Sequence, residues 1–198
     1  MNSVLASLLG FSVARYITPG PNNVMVAASA ANHGIRATMP HMFGIAVGFS
    51  VMLTLVCAGL GSALVNWPLL LPIFRWVGAA WLAVLAWQIA VAPAPGEGGR
   101  GRVFGFFGAA AFQWVNPKAW LIAAGAAGEY LSPNHPLLLQ LGRIFVIFLA
   151  VGMPCLLVWA ALGSGAGRLL HSPARLRTFN IAMALLLVAS LVPVLIEG

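Results

Sequence analysis

The sequence predicts an all-α polytopic membrane protein with six transmembrane helices, arranged as two inverted three-helix repeats in which helices 1 and 4 are broken. Three observations predict it. Hydrophobic residues fill 61% of the 198 positions and charged residues only 7%, where an average soluble domain is about 25% charged. So little charge could not cover a water-facing surface, and the length suffices for about six spans of roughly 20 residues. Next, the apolar run 3–31 is interrupted by Thr18-Pro19-Gly20-Pro21-Asn22-Asn23, and the run 103–128 by Trp114-Val115-Asn116-Pro117-Lys118. Finally, a shift of 96 positions aligns these two runs without a gap. Phe11 then meets Phe107, Ala14 meets Ala110, Pro21 meets Pro117, and the alanine-rich stretch 27–31 meets 123–127. Two gapped matches support the repeat more weakly: Ala46-Val47-Gly48 with Ala150-Val151-Gly152, and Gly61-Ser62 with Gly163-Ser164.

The first span covers 3–31 in two pieces. Each proline of the break removes a backbone donor and crowds the preceding turn, so Pro19, Gly20 and Pro21 cannot continue a helix. Twenty-nine residues of unbroken helix would reach roughly 43 Å, too long for a 30 Å hydrocarbon core without strong tilt. Backbone groups freed at membrane depth are tolerated only where protein or a polar cavity satisfies them, and Asn22 and Asn23 supply donors and acceptors there. Arg15 precedes the break, either snorkelling to the interface or facing a cavity. A polar loop is expected over 32–39, with Pro40 opening the next helix, where its missing donor costs nothing.

The second span is 41–65, with Gly44 and Gly48 at the spacing that lets another helix approach closely. Residues 66–68 make a turn anchored by Trp67 at the interface. The third span is 69–91. Prolines and glycines over 92–102 read as a linker, dividing repeat 1 (about 1–91) from repeat 2 (about 103–198) within one transmembrane domain, 1–198. The fourth span is 103–128, broken at Pro117. A loop follows over 129–136, then the fifth span over 137–162, a basic loop over 163–178, and the sixth span over 179–196.

Orientation follows from charge. The links after the odd-numbered spans carry Arg36, Arg100, Arg102, Arg168, Arg175 and Arg177, whereas the opposite loops and termini carry no basic residue. Those links are therefore expected in the cytoplasm, with both termini outside. Three spans per repeat then force the two repeats to be inverted, a transporter arrangement in which matching broken helices mark the binding site.

The net charge of +7 raises the question of nucleic acid, but the basic residues sit in alternate loops and form no patch with interleaved aromatics. Cys57 and Cys155 lie within apolar runs and read as small buried hydrophobes. Ala28-Ser29-Ala30 imitates a signal-peptide cleavage site, but no basic n-region precedes it and the apolar stretch is broken. The start therefore reads as mature protein. No paired carboxylates and no metal-spaced His or Cys cluster point to an enzyme, a metal or a cofactor.

The segments ITPGPNNVM (17–25), HGIRATMPHMFGIAVGF (33–49), FQWVNPKAW (112–120) and FNIAMALLLVASL (179–191) resemble the LysE/RhtB family of amino-acid efflux proteins, over essentially the whole length. The pairing of TPGPNN with a downstream NPK carries the resemblance. It implies a multi-pass inner (plasma) membrane protein that exports amino acids or close derivatives from the cytoplasm, driven by the proton gradient. The family's substrates span basic, neutral and sulfur-containing amino acids, so the resemblance leaves the substrate open.

An amino acid presents a carboxylate and an ammonium. Lys118 lies about 15 residues into the fourth span, roughly 22 Å along a helix, so its ammonium could meet the carboxylate, as could a half-helix N-terminus after Pro21 or Pro117. For the substrate's ammonium, the chain has no aspartate, and Glu97, Glu129 and Glu197 fall outside the expected spans. Freed carbonyls with Asn22, Asn23 and Asn116 are then the expected acceptors. A dicationic substrate would bring a second charge with nothing to meet it, so a neutral amino acid is favoured. Proton coupling would fall to His41 or Lys118, though His41 also reads as an interfacial histidine and Lys118 as a partner of freed carbonyls. A passive channel or an assembly protein remains the alternative, with homodimerisation through Gly44 and Gly48 a further expectation.

Overall fold

The computed structural model describes residues 2–61, 69–92, 104–170, 172–190 and 192. The linker expected over 92–102 (all but residue 92), the end of the second span with the turn 66–68, and the end of the sixth span lie outside these residues. Every regular element among those described is helical: α1 (Asn2–Ile17), α2 (Pro21–His33), α3 (Ile35–Leu55) extended by a π-helical turn (Val56–Leu60), α4 (Leu70–Ala90), α5 (Phe106–Phe112) extended by a 3-10 turn (Gln113–Val115), α6 (Pro117–Tyr130), α7 (Leu137–Leu169) and α8 (Pro173–Ala189). Both interruptions fall where proline dictates, since Pro21 opens α2 and Pro117 opens α6 at the position where a missing N–H costs nothing.

Two expected boundaries move. The loop expected over 32–39 shrinks to Gly34, whose φ of 83° is the left-handed conformation that glycine adopts without penalty. Gly34 ends α2 by donating to the Ala30 carbonyl at 3.0 Å, and its own carbonyl accepts from Thr38 N at 3.3 Å. Pro40 consequently sits inside α3 rather than opening it.

The second shift is in the basic loop expected from residue 163, which stays helical to Leu169. Its glycines weaken the helix locally, but they also remove the side chains that would collide with α2. A β-carbon on Gly163 would lie 2.0 Å from the Ala27 carbonyl oxygen, and one on Gly167 would lie 2.4 Å from that of Ala31. Packing overrides propensity. The short loop after α6 is in turn held by Gln140, whose side chain bonds Ser132 N, Ser132 O and His135 O at 2.8–2.9 Å.

The centre of the bundle is α2, in which Pro21, Asn23, Val24, Met25, Val26, Ala27, Ala28 and Ala30 are buried; a helix covered on nearly all sides is an interior element. It packs on α7, α3 and α8. One core cluster joins residues of α1, α2, α3, α6 and α7, including Met42, Ile45, Ile122, Phe148 and Leu156. A second joins Val24 and Met25 to Leu82, Leu85, Phe112 and Leu187. Gly44 and Gly48 of α3 are filled by α5, because β-carbons there would lie 2.3 Å from Phe106 O and 2.4 Å from Ala110 Cα.

Large apolar side chains cover the outside of this bundle, among them Val13, Trp76, Trp87, Phe107, Leu138 and Leu185. Among the described residues, three helices are long and apolar enough to cross a membrane alone, 35–60, 72–90 and 137–169; the pieces 3–17 and 106–115 are apolar but shorter. Such surfaces suit a hydrocarbon environment and identify a membrane-embedded protein.

Candidate functional site

The two breaks are built differently. At the first, the residue before Pro21 is Gly20, in extended backbone and with no side-chain cap on the helix that follows. The carbonyls released here are met from elsewhere. Asn23 Nδ2 donates to Tyr16 O and to Thr18 O, both at 2.8 Å, and Thr18 Oγ1 turns back to the Ala14 carbonyl. At the second break, Asn116 occupies the cap position in extended backbone and its Oδ1 accepts from Lys118 N at 3.1 Å, the usual role of asparagine before a first helical turn. Trp120 Nε1 donates to Trp114 O at 2.7 Å, closing the 3-10 turn.

The breaks then meet. Lys118 Nζ donates to Thr18 O at 2.7 Å and to Pro19 O at 3.2 Å. Alongside, Asn22 and Gln113 exchange both amide bonds: Asn22 Nδ2 donates to Gln113 Oε1 at 2.9 Å and Gln113 Nε2 donates to Asn22 Oδ1 at 3.1 Å. Gln113 Nε2 also donates to Ala109 O at 2.9 Å. Because Gly20 has no side chain, the Lys118 chain runs directly over it; a β-carbon there would lie 2.9 Å from Lys118 Cδ and Nζ.

Between them is a crevice of about 30 Å³, lined in part by Arg15, Gly20, Pro21, Asn22, Asn23, Gln113, Asn116 and Lys118. That is the share of a single water in the liquid. Two cationic side chains and no acidic one line it. Arg15 is exposed and its guanidinium sits 4.9 Å above the Phe11 ring.

Of the residues expected at a site, the structure thus brings Asn22, Asn23, Asn116, Lys118, Gly20 and Pro21 to one crevice. Pro19 takes part through its carbonyl, and Pro117 sets the start of α6. His41 is elsewhere. It lies in α3, lines a different cavity beside Phe104, and shares no wall with Lys118. Gln113 and Tyr16 were not anticipated. Gln113, fully buried, stands in the quoted segment 112–120 as an amide inside an apolar span, which was a usable signal. Under the 96-residue shift it faces Ile17, so the repeat gave no reason to select it. Tyr16 is buried at the bottom of the crevice, and aromatic packing on Phe49 and Phe148 gives it no sequence mark.

Apolar outer faces around helices that are interrupted at two meeting points define a membrane-embedded helical protein with a polar crevice at its breaks. The chain belongs to the LysE type translocator family, which matches residues 13–197. It is 31% identical over 187 residues, 94% of either chain, to the cysteine/O-acetylserine efflux protein of Escherichia coli strain K12. It is 32% identical over 186 residues to the protein of the same name in Salmonella typhimurium strain LT2, covering 93% of this chain. No solved structure matches. The family is one of translocators rather than enzymes.

Proposed function

We propose that the protein is a secondary transporter that exports small neutral amino acids or close derivatives from the cytoplasm across the inner membrane. The observation that carries this reading is the meeting of two interrupted helices in one polar crevice, the feature by which transporters hold a substrate near the midplane. In this reading the chain is one transmembrane domain of six spans, an inverted pair of repeats (about 1–91 and 103–198, joined by 92–102), with both termini outside.

Internal packing supports the repeat. Gly48 and Gly152, matched in the sequence, each press on the first piece of the broken span in the opposite half: Gly48 on Ala110, Gly152 on Tyr16. The pairing is reciprocal, as expected of two repeats related by a two-fold axis.

Arg15 and Lys118 suit the carboxylate of an amino acid, and the absence of an acidic side chain in the crevice disfavours a cationic substrate. The relatives named for cysteine and O-acetylserine agree with a small neutral substrate. Asn22, Asn23 and Asn116 with the freed carbonyls would take the ammonium. The bonds of Lys118 to Thr18 and Pro19 would have to open first, since about 30 Å³ admits no amino acid. Export would be coupled to protons through Lys118 or His41. A homodimer, if formed, would use exposed apolar faces, because Gly44 and Gly48 are filled from within; mass in nanodiscs decides it.

Counterflow of labelled amino acids in proteoliposomes is the deciding experiment. An exchanger accumulates label against an unlabelled internal pool, whereas a passive channel or an assembly protein shows no such overshoot and would end this reading. Reporter fusions at Ala94 and Ser172 should read cytoplasmic, and a periplasmic signal at either would overturn the topology.

A further inference from the structure

A second, larger cavity is remote from the crevice. It holds about 330 Å³ between α2, the start of α3 and the end of α4, and Ser29, Asn32, His33, His41, Gln88 and Phe104 are among its lining residues. That volume is in the range of small-molecule sites, about ten times that of the crevice. The two spaces share a helix face. Asn22 lines the crevice, while Met25, Ser29 and Asn32 line the cavity, and positions spaced by three or four lie along one side of a helix. From Asn22 to Asn32 this stripe rises about 15 Å.

His41 is the second observation. It is 1% exposed, and both of its ring nitrogens lack a hydrogen-bond partner among the described residues. Leaving a buried polar group unpaired costs about 1–3 kcal/mol, and nothing in the packing of α3 repays it: the neighbour in ring contact is Phe104, 5.4 Å away in a T-shaped arrangement. Both nitrogens are themselves covered, so a ligand in the cavity that His41 lines meets them once the ring turns toward it.

The other walls define what that partner is. Thr38 Oγ1 donates to Gly34 O at 2.9 Å, so in its 3.0 Å contact with Ser29 the serine hydroxyl is the donor and its lone pairs stay available. His33 Nδ1 lies 3.3 Å from the Ser29 carbonyl, which only accepts, so Nδ1 is the donor in that contact. The Ser29 hydroxyl thus offers lone pairs to an ammonium, while the His41 N–H and the Gln88 amide offer donors to a carboxylate. No acidic side chain is among the described lining residues.

We infer that this cavity is the station at which a zwitterionic amino acid with an uncharged side chain is loaded from the cytoplasm, held by His41, Ser29 and Gln88, before it travels along the α2 stripe to the crevice. The inference rests on the transporter reading and names a second binding position within it. The crevice is then the narrow point of the route, closed by the Asn22–Gln113 pair and by Lys118.

The test uses the full chain in proteoliposomes and nanodiscs with radiolabelled L-cysteine under reducing conditions. Gln88 is exposed, so Gln88→Trp fills the cavity without disturbing a buried contact; it should weaken binding at least fivefold with melting unchanged. His41→Leu removes the two orphaned nitrogens, and it should raise the melting temperature while weakening binding at least fivefold, a combination that a purely structural histidine would not give. Wild-type binding in folded Gln88→Trp and His41→Leu overturns the loading site. If the wild type binds cysteine but shows no counterflow, and Gln88→Trp abolishes that binding, the site stands and the transporter reading falls. A wild type that neither binds nor exchanges overturns both.

Discussion

The first break is held partly by a donor from the other half of the molecule, whereas the second is held by its own residues. Asn116 caps the helix it precedes, and Trp120, three residues inside that helix, closes the turn before it. Gly20 caps nothing. Its neighbouring carbonyls depend on Asn23 from the following helix and on Lys118 from the other half of the molecule. Matching prolines can therefore sit in unlike settings, one a self-contained cap and the other a socket. A socket occupied by a removable ammonium can open; a capped turn has no reason to.

The largest effect should come from emptying the socket. Lys118→Ala leaves the carbonyls of Thr18 and Pro19 without that donor and should lower stability by about 1–3 kcal/mol, with counterflow reduced at least tenfold in protein that remains folded. Lys118→Arg should recover only part of the activity, because a planar guanidinium cannot converge on two adjacent carbonyls as a compact ammonium does. Melting and counterflow on the same purified samples check both. Full transport by folded Lys118→Ala would reduce the residue to scaffold.

Next, Asn23→Ala should destabilise more than Asn116→Ala, since it strips the Tyr16 carbonyl of its side-chain donor and takes one of two from Thr18, rather than freeing one amide; about 2 kcal/mol against about 1 kcal/mol is expected. Asn116→Ser should retain most of the cap, while Asn23→Ser should rescue little, its hydroxyl being too short to reach both acceptors. Equal losses, read as melting shifts, would erase the distinction between the breaks.

The Asn22–Gln113 pair should show coupling. Either residue changed to leucine breaks both amide bonds of the pair, and the double change should cost less than the two singles added, by about 0.5–3 kcal/mol. Strict additivity would mean that the pair does not act as a latch.

Gly20→Ala should have the smallest effect on stability, within about 0.5 kcal/mol. Its extended backbone suits any residue, and the new methyl meets only the flexible end of Lys118. Displacing that ammonium should nonetheless slow counterflow severalfold, and unchanged transport would show that the seating of Lys118 is not critical.

Both interruptions were legible because proline acts locally: Pro21 and Pro117 dictate a helix start whatever surrounds them. The helical character of the apolar runs was legible for the same reason. What escaped was set by contacts between distant segments. The glycine-rich stretch 163–167 reads as a loop by propensity and becomes helix because α2 lies against it. Gln113 reads as an isolated amide until Asn22 is known to face it. His41 and Lys118 looked like alternatives for one task, yet spacing along a chain cannot say that two residues line different cavities. Gly34, not Pro40, starts α3, which carries His41 more than a turn into that helix.

The partnership between the breaks has a consequence for how the protein is made. Thr18 and Lys118 are 100 residues apart, and Asn22 and Gln113 are 91 apart. At synthesis rates of about 5–20 residues per second, the first break waits roughly 5–20 s for its donors. During that interval α1 and α2 are each too short to cross a bilayer unaided, and the Pro19 carbonyl at their junction has no donor until Lys118 is made. The N-terminal pieces must therefore stay at the water interface or in the insertion machinery until α6 emerges. The second half of the chain thus completes the insertion of the first.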